Sequence, residues 1–197
     1  MLSSSRVLLA FSLVLPVLAG PAMAHAEGGL AGGFLSGLSH PISGLDHVAA
    51  MVAVGLWGAL LCAPAIWLLP LVFPLVMAIG GVLGILGVPV PSIEVGIALS
   101  AIVLGLCVAL ALRPPLWIAA AIVGAFAIFH GHAHGTELPA AVDAYTYAAG
   151  FVIATGLLHV GGIVFGLLAR WDWGEVAVRA GGGVIALAGV AFLSGIA

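Results

Sequence analysis

Apolar stretches long enough to cross a lipid bilayer recur along almost the whole chain, and short segments rich in proline, glycine or arginine separate them. A helix needs about 20 predominantly apolar residues for one crossing, and its backbone hydrogen bonds are then satisfied internally. Only 6% of the 197 residues are charged, whereas a soluble domain typically carries about 25%. The sequence therefore predicts an all-α membrane protein.

Six transmembrane helices follow from these stretches. The predicted spans cover residues 41–62, 65–86, 93–112, 116–134, 145–169 and 176–196. Pro70 and Pro74 lie inside the second span, where a kink is expected because proline removes backbone hydrogen bonds. Together with the segment that precedes them, the spans are predicted to form one transmembrane domain over residues 25–197.

Residues 1–24 have the pattern of a secretory signal peptide that is cleaved from the mature protein. Arg6 lies in a short polar head, an apolar core covers residues 7–18, and Ala-Met-Ala at 22–24 is a small-residue cleavage site. An uncleaved first span is the alternative. Cleavage would leave His25 as the new amino terminus, expected in the periplasm of a bacterium with the helices in the inner membrane. His25 itself is not predicted to be a required ligand.

The few basic residues give an independent indication of orientation. If the mature amino terminus lies outside, the alternation of six spans places Arg113, Arg170 and Arg179 on the cytoplasmic side. This distribution agrees with the positive-inside rule. All five tryptophans then fall in the inner half, whereas Tyr145 and Tyr147 lie near the outer interface, where aromatic residues are common.

Imidazole and carboxylate side chains gather at the outer ends of the predicted spans. An ionisable group at the bilayer centre costs roughly 2.5–3.5 kcal/mol on insertion scales, so such groups are candidates for function. Imidazole and carboxylate together bind divalent nickel, cobalt, zinc or copper. The sequence therefore predicts one metal site in the outer third of the bundle. Its candidate ligands are His40, Asp46, His47, Glu94, His130, His134 and Glu137.

The candidates of the fourth span follow a helical repeat. His130, His134 and Glu137 are separated by four and three residues, so they lie on one face of a helix. His132 points to the opposite side and is left out of the site. Glu94 is assigned by its location alone, since a carboxylate at a helix amino terminus is equally well explained by the helix dipole.

The candidates of the first span fit a regular helix less well. Asp46 and His47 are neighbours, which an ideal helix splays apart by about 100°. Two interpretations remain open. Either the helix is distorted near Gly44, or Asp46 orients an imidazole ligand instead of binding the ion itself.

Other polar or soft side chains have simpler explanations. Asp143 can interact with the dipole of the fifth span. His159 lies near the middle of that span on a face of small residues, and a packing role is favoured over a relay ligand. Met51, Cys62 and Cys107 are assigned to packing.

Two motifs resemble the signatures of a known family. The pattern His40, five residues, Asp46-His47, together with Phe-His-Gly-His-Ala-His-Gly-Thr-Glu at 129–137, resembles the HupE/UreJ family of membrane permeases. These permeases are associated with nickel, and in some members cobalt, supply to hydrogenase or urease. The resemblance covers essentially the whole mature chain. It implies metal-handling roles for His40, Asp46, His47, His130, His134 and Glu137, whereas His132 fills a variable place in the motif.

A secondary permease or facilitator for uptake of a divalent ion, not an enzyme, is the predicted function. The sequence has no glycine-rich phosphate loop with lysine, and the membrane potential supplies about 4.6 kcal/mol per 100 mV for two charges. Ni²⁺ or Co²⁺ is expected as the transported substrate, and no resident cofactor is predicted. Lipid is the expected surrounding, and a homo-oligomer is compatible with the sequence. A nucleic-acid partner is not expected, because the sequence has no basic patch.

A membrane-embedded zinc-dependent hydrolase is the alternative. Catalytic zinc commonly has three protein ligands and one open position, and three imidazoles with an acid are available here. Against this interpretation, the sequence has no His-Glu-x-x-His helix. The choice between nickel and cobalt stays open, because geometry and availability decide selectivity more than ligand type does.

Overall fold

The computed structural model describes residues 30–137 and 143–196 of the chain. The predicted signal peptide and His25 lie outside the described residues. Every regular element within the described ranges is helical. The elements are α1 (Leu30–Ser43), α2 (Leu45–Leu61), α3 (Ala65–Ile85), α4 (Ile93–Ala109), α5 (Leu116–Thr136), α6 (Ala144–Gly166), a 3-10 turn (Leu167–Arg170) and α7 (Asp172–Ser194). The predicted all-α class is confirmed.

Most of these helices are long and apolar enough to cross a membrane. Helices α3, α5 and α7, and α6 with its 3-10 extension, qualify on their own, and α1 with α2 would form a fifth, bent span. Helix α4 has 17 residues and so rises about 26 Å. Helices α2 to α7 occupy the six predicted positions. The chain is therefore a multi-pass membrane protein with four or five candidate spans, and the count of six stays a prediction.

The first predicted span begins later than expected. Pro41 lies inside α1, and Gly44 separates α1 from α2, whose axis is bent by 81° from that of its predecessor. Pro41 has no N–H to donate to the α1 backbone, which weakens the last turn. Gly44 adopts an extended conformation with φ −97° and ψ 110°. The predicted span of residues 41–62 is thus interrupted at Gly44, and the distortion considered near Gly44 is observed.

Glycines bring α5 against α3. A methyl group at Gly131 would collide with the backbone carbonyl of Met77, and one at Gly135 with the carbonyl of Gly81. Helices in lipid associate through such close van der Waals packing, because lipid tails are as apolar as leucine side chains. Each glycine follows a histidine of the second motif. The contact with α3 therefore fixes the direction in which His130 and His134 project.

The end of the bundle away from these histidines is rich in arginine and tryptophan. Arg179 donates from Nε to the carbonyl of Ala109 at 2.9 Å. Trp57 is fully buried, and its Nε1 donates to the carbonyl of Leu112 at 2.9 Å. The other four tryptophans are exposed, as expected of an interfacial belt. They are Trp67, Trp117, Trp171 and Trp173.

Candidate metal site

Four imidazoles from three helices converge at one end of the bundle. The ring of His47 on α2 lies 4.7 Å from that of His130 and 4.5 Å from that of His134, both on α5, measured between centroids. The ring of His40 on α1 lies 4.8 Å from that of His134. The structure thus brings the histidines of the two sequence clusters together.

The outer part of this group can surround a single ion. His40, His134 and Glu137 each offer one ligand atom, and these atoms all lie within 4.8 Å of one another. Nε2 of His40 is 3.6 Å from Oε2 of Glu137. His134 is buried, whereas the Glu137 side chain is 58% exposed. A hydrated ion can therefore meet the carboxylate first and the imidazoles afterwards.

Asp46 orients the ring of His47. Nδ1 of His47 donates to Oδ1 of Asp46 at 2.8 Å, and the backbone N–H of His47 donates to the same oxygen at 2.8 Å. Because an ionised carboxylate only accepts hydrogen bonds, Nδ1 carries the proton and Nε2 keeps its lone pair. Nε2 is buried and has no hydrogen-bond partner among the described residues. This is the usual arrangement of a carboxylate behind a ligating imidazole, and it occurs here beside the distortion at Gly44.

Ser100 on α4 orients the ring of His130. Its Oγ donates to the carbonyl of Ile97 at 2.6 Å, so it accepts from Nε2 of His130 at 2.9 Å. Nδ1 of His130 is then the nitrogen with the lone pair, and it is buried without a partner in the described part of the chain. Sequence reasoning missed Ser100, because a single hydroxyl in an apolar helix is a weak signal.

Aromatic side chains of α6 close the site on its remaining side. The ring of Phe151 lies 4.4 Å from that of His134, and the ring of Tyr147 lies 5.9 Å from that of His40. Both nitrogens of His134 are buried here without a partner in residues 30–137 and 143–196. Tyr147 was expected near the lipid interface with Tyr145, but Tyr147 is buried and only Tyr145 is exposed. The four-residue spacing between Tyr147 and Phe151 would have indicated that the two side chains lie on one face of α6.

Carboxylates border the approach to the rings. A cavity of about 280 Å³ is lined by residues of both clusters and by Glu94. A second cavity of about 320 Å³, beside the starts of α2 and α4, shares Asp46 and Glu94 with the first. A cleft lined by one sign of charge concentrates ions of the opposite sign. Glu94 is exposed in the first turn of α4, at the mouth and outside the compact group of His40, His134 and Glu137.

Two further polar residues have structural roles. Nε2 of His132 lies 2.7 Å from the carbonyl of Val88 and ties α5 to the segment after α3. Asp143 caps α6, where its Oδ1 accepts from the backbone N–H of Thr146 at 2.9 Å. Neither lines the cavity beside His40, His47 and His134.

Comparison with known proteins agrees with the geometry. The family model of the HupE / UreJ protein matches residues 13–192. Protein HupE of Rhizobium leguminosarum bv. viciae is 51% identical over 182 residues, which are 92% of this chain and 95% of that protein. No solved structure matches the chain significantly. The chain belongs to the HupE/UreJ family of membrane transport proteins.

Proposed function

We propose that this protein is a secondary permease that takes up a divalent transition-metal ion across the bacterial inner membrane. Ni²⁺ is the first candidate and Co²⁺ the second, and the ion supplies the maturation of a metalloenzyme such as hydrogenase or urease. The mature amino terminus and the histidine cluster face the periplasm. The observation that carries this proposal is the convergence of four imidazoles, several of whose buried nitrogens have no hydrogen-bond partner among the described residues.

The unpartnered nitrogens favour a transition-metal ion over other cargo. A buried polar atom without a hydrogen bond costs about 1–3 kcal/mol, so a cluster of them is expected to serve a ligand. Neutral imidazole is a good ligand for nickel, cobalt, zinc and copper, whereas magnesium and calcium prefer oxygen. The surrounding carboxylates add the negative charge that a dication requires.

The positions of these side chains, from the exposed mouth to the buried rings, give the order in which the ion meets them. Glu94 and Asp46 attract the hydrated ion to the mouth, and Glu137 with His40 and His134 replaces part of its water. His134 also borders His47, so one imidazole can serve the outer group and the inner one. The ion then reaches Nε2 of His47 and Nδ1 of His130, whose tautomers are already set.

The driving force is the membrane potential. Two charges gain about 4.6 kcal/mol per 100 mV, which corresponds to an accumulation on the order of a thousandfold. Membership of a transport family disfavours the zinc hydrolase. The hydrolase would also need a bound metal that does not leave the site.

Uptake of radioactive nickel by cells tests the proposal. His47→Ala removes a nitrogen that borders both His130 and His134, and loss of a ligand is expected to lower uptake about 10–100-fold. Leu187→Ala is the control, because Leu187 on α7 is 71% exposed and lines neither of the two cavities beside the site. Unchanged uptake by His47→Ala, or a tightly bound zinc ion with no uptake by the unaltered protein, would refute the permease.

A further inference from the structure

A second group of unsatisfied polar atoms lies deeper in the bundle. His159 on α6 is 1% exposed, and neither of its ring nitrogens has a hydrogen-bond partner among the residues that the structure describes. Thr155, one helical turn earlier, is fully buried, and its Oγ1 is likewise without a partner. Residues four apart share one face of a helix. An imidazole and a hydroxyl on adjacent turns therefore face the apolar interior with no hydrogen-bond partner in residues 30–137 and 143–196.

The backbone around His159 is held firmly. A methyl group at Gly55 on α2 would collide with the backbone carbonyl of His159, and one at Gly162 with the carbonyl of Val52. Close contact of small residues is the means by which membrane helices fix one another. The position of the His159 ring is thus set by the α2–α6 contact, in the same way that the α3–α5 contact sets His130 and His134.

A backbone carbonyl on α3 adds a third polar group. The backbone of Pro70 lies beside the His159 ring. In a regular helix the Pro70 carbonyl would accept from residue 74, but Pro74 has no N–H to donate. Carbonyls released from helical hydrogen bonding commonly coordinate cations inside transporters.

The ring of Phe73 touches both this deeper group and the outer site. Its ring centroid lies 5.4 Å from that of His130 and 5.5 Å from that of His159. The Phe73 ring is therefore in contact with both the innermost imidazole of the cluster and His159. It lies between Pro70 and Pro74, in the part of α3 where two helical hydrogen bonds are missing and the helix can bend.

We propose that His159, Thr155 and the Pro70 carbonyl form a second binding station for the transported ion, which receives it from His130 when the Phe73 ring moves aside. This inference rests on the proposed permease function. The transfer is a ligand exchange, in which the ion leaves Nδ1 of His130 for a ring nitrogen of His159 without a change in its charge. One nitrogen and two oxygens make a weaker site than the outer imidazoles do, so the ion can move on.

Nickel uptake by the full chain provides the first test. His159→Ala is expected to lower uptake about 10–100-fold, while the affinity of the outer site for Ni²⁺ stays as in the unaltered protein. Leu157→Ala is the matched control, since Leu157 belongs to the same helix and is 63% exposed. The Leu157→Ala variant should take up nickel at the normal rate. Normal uptake by His159→Ala would overturn the second station.

A second variant separates ligation from packing, because truncating a buried ring also leaves a cavity. His159→Cys keeps a ligand atom at this position, but thiolate favours softer ions. Competition of Zn²⁺ and Cd²⁺ against Ni²⁺ uptake should therefore become stronger. If Zn²⁺ and Cd²⁺ compete with the remaining Ni²⁺ uptake no better than in the unaltered protein, or if no uptake remains, His159 only packs and the inference fails.

Cobalt binding distinguishes failure of this inference from failure of the permease. Purified protein titrated with Co²⁺ should bind one equivalent more than His159→Ala does, detected by the visible absorption of the bound ion. Equal stoichiometry in the two proteins would overturn the second station alone. Absence of any cobalt or nickel binding in the unaltered protein would refute the proposed function itself.

Discussion

At the scale of single residues, the site depends on which nitrogen of each ring carries the proton. Asp46 binds Nδ1 of His47, and Ser100 binds Nε2 of His130. A neutral imidazole can hold its proton on either nitrogen. Without these partners, a fraction of the protein molecules would present an N–H group to the ion instead of a nitrogen lone pair. Asp46 and Ser100 therefore leave one ring nitrogen of each histidine free for the proposed ion.

Ser100→Ala tests this preparation without touching a ligand. The affinity for Ni²⁺ is expected to fall about 10–100-fold, the usual effect of removing a group that orients a metal-bound imidazole. A calorimetric titration of the purified protein measures it. Ser39→Ala is the control, because the Ser39 hydroxyl is exposed and donates to the carbonyl of Ser36 within its own helix. Equal affinities for Ser100→Ala and the unaltered protein would contradict the role of Ser100.

At the scale of elements, the break between α1 and α2 brings the first motif into one site. In a continuous helix, positions 40 and 47 would be separated by about 10.5 Å along the axis. In the structure the rings of His40 and His47 lie 4.8 Å and 4.5 Å from the ring of His134. The bend of 81° therefore lets two histidines on different helices reach the same partner.

Gly44→Ala is predicted to disturb this junction. A Cβ at residue 44 would lie 2.8 Å from Oδ1 of Asp46 and 3.0 Å from Nδ1 of His47. The backbone of Gly44 has a negative φ, so alanine is not excluded by conformation and the damage falls on the Asp46–His47 pair. Nickel affinity should fall about 10-fold or more, since that pair orients a ligand. Gly183→Ala is the control, because the added methyl meets open space, and it should bind nickel with normal affinity. Normal nickel affinity in Gly44→Ala would disprove the role of this junction.

Sequence reasoning could find the helices and the two clusters because charges and imidazoles are rare in an apolar chain. It placed His130, His134 and Glu137 on one helix face and left His132 out of the site. In the structure the rings of His130 and His134 lie against His47, whereas Nε2 of His132 lies at the Val88 carbonyl. It could not decide the break at Gly44, since proline is acceptable both near a helix start and, at some cost, inside a last turn. It missed Ser100 and Tyr147 because hydroxyl groups in apolar helices show their role only through tertiary contacts.

At the scale of the whole molecule, the two ends of the bundle differ in charge. The carboxylates Asp46, Glu94 and Glu137 surround the cavity at one end. Arg113 precedes α5 and therefore lies at the opposite end from Glu137, which follows it. A cleft with this charge attracts dications, and the positive-inside rule favours a cytoplasmic location for the arginine-bearing end. The proposed uptake requires this orientation, because the membrane potential draws cations inward.

Labelling with a membrane-impermeant maleimide tests the orientation. Cys62 is exposed at the end of α2 away from the histidines, whereas Cys107 is buried and should not react. Cys62 is expected to be labelled in inverted membrane vesicles but not in intact spheroplasts. In a Cys62→Ser background, Leu45→Cys at the exposed start of the same helix should show the reverse pattern. Since both sites belong to one helix, labelling of Cys62 from the periplasmic side would place the histidine cluster in the cytoplasm, and the ion would then have to leave through the site proposed for its entry.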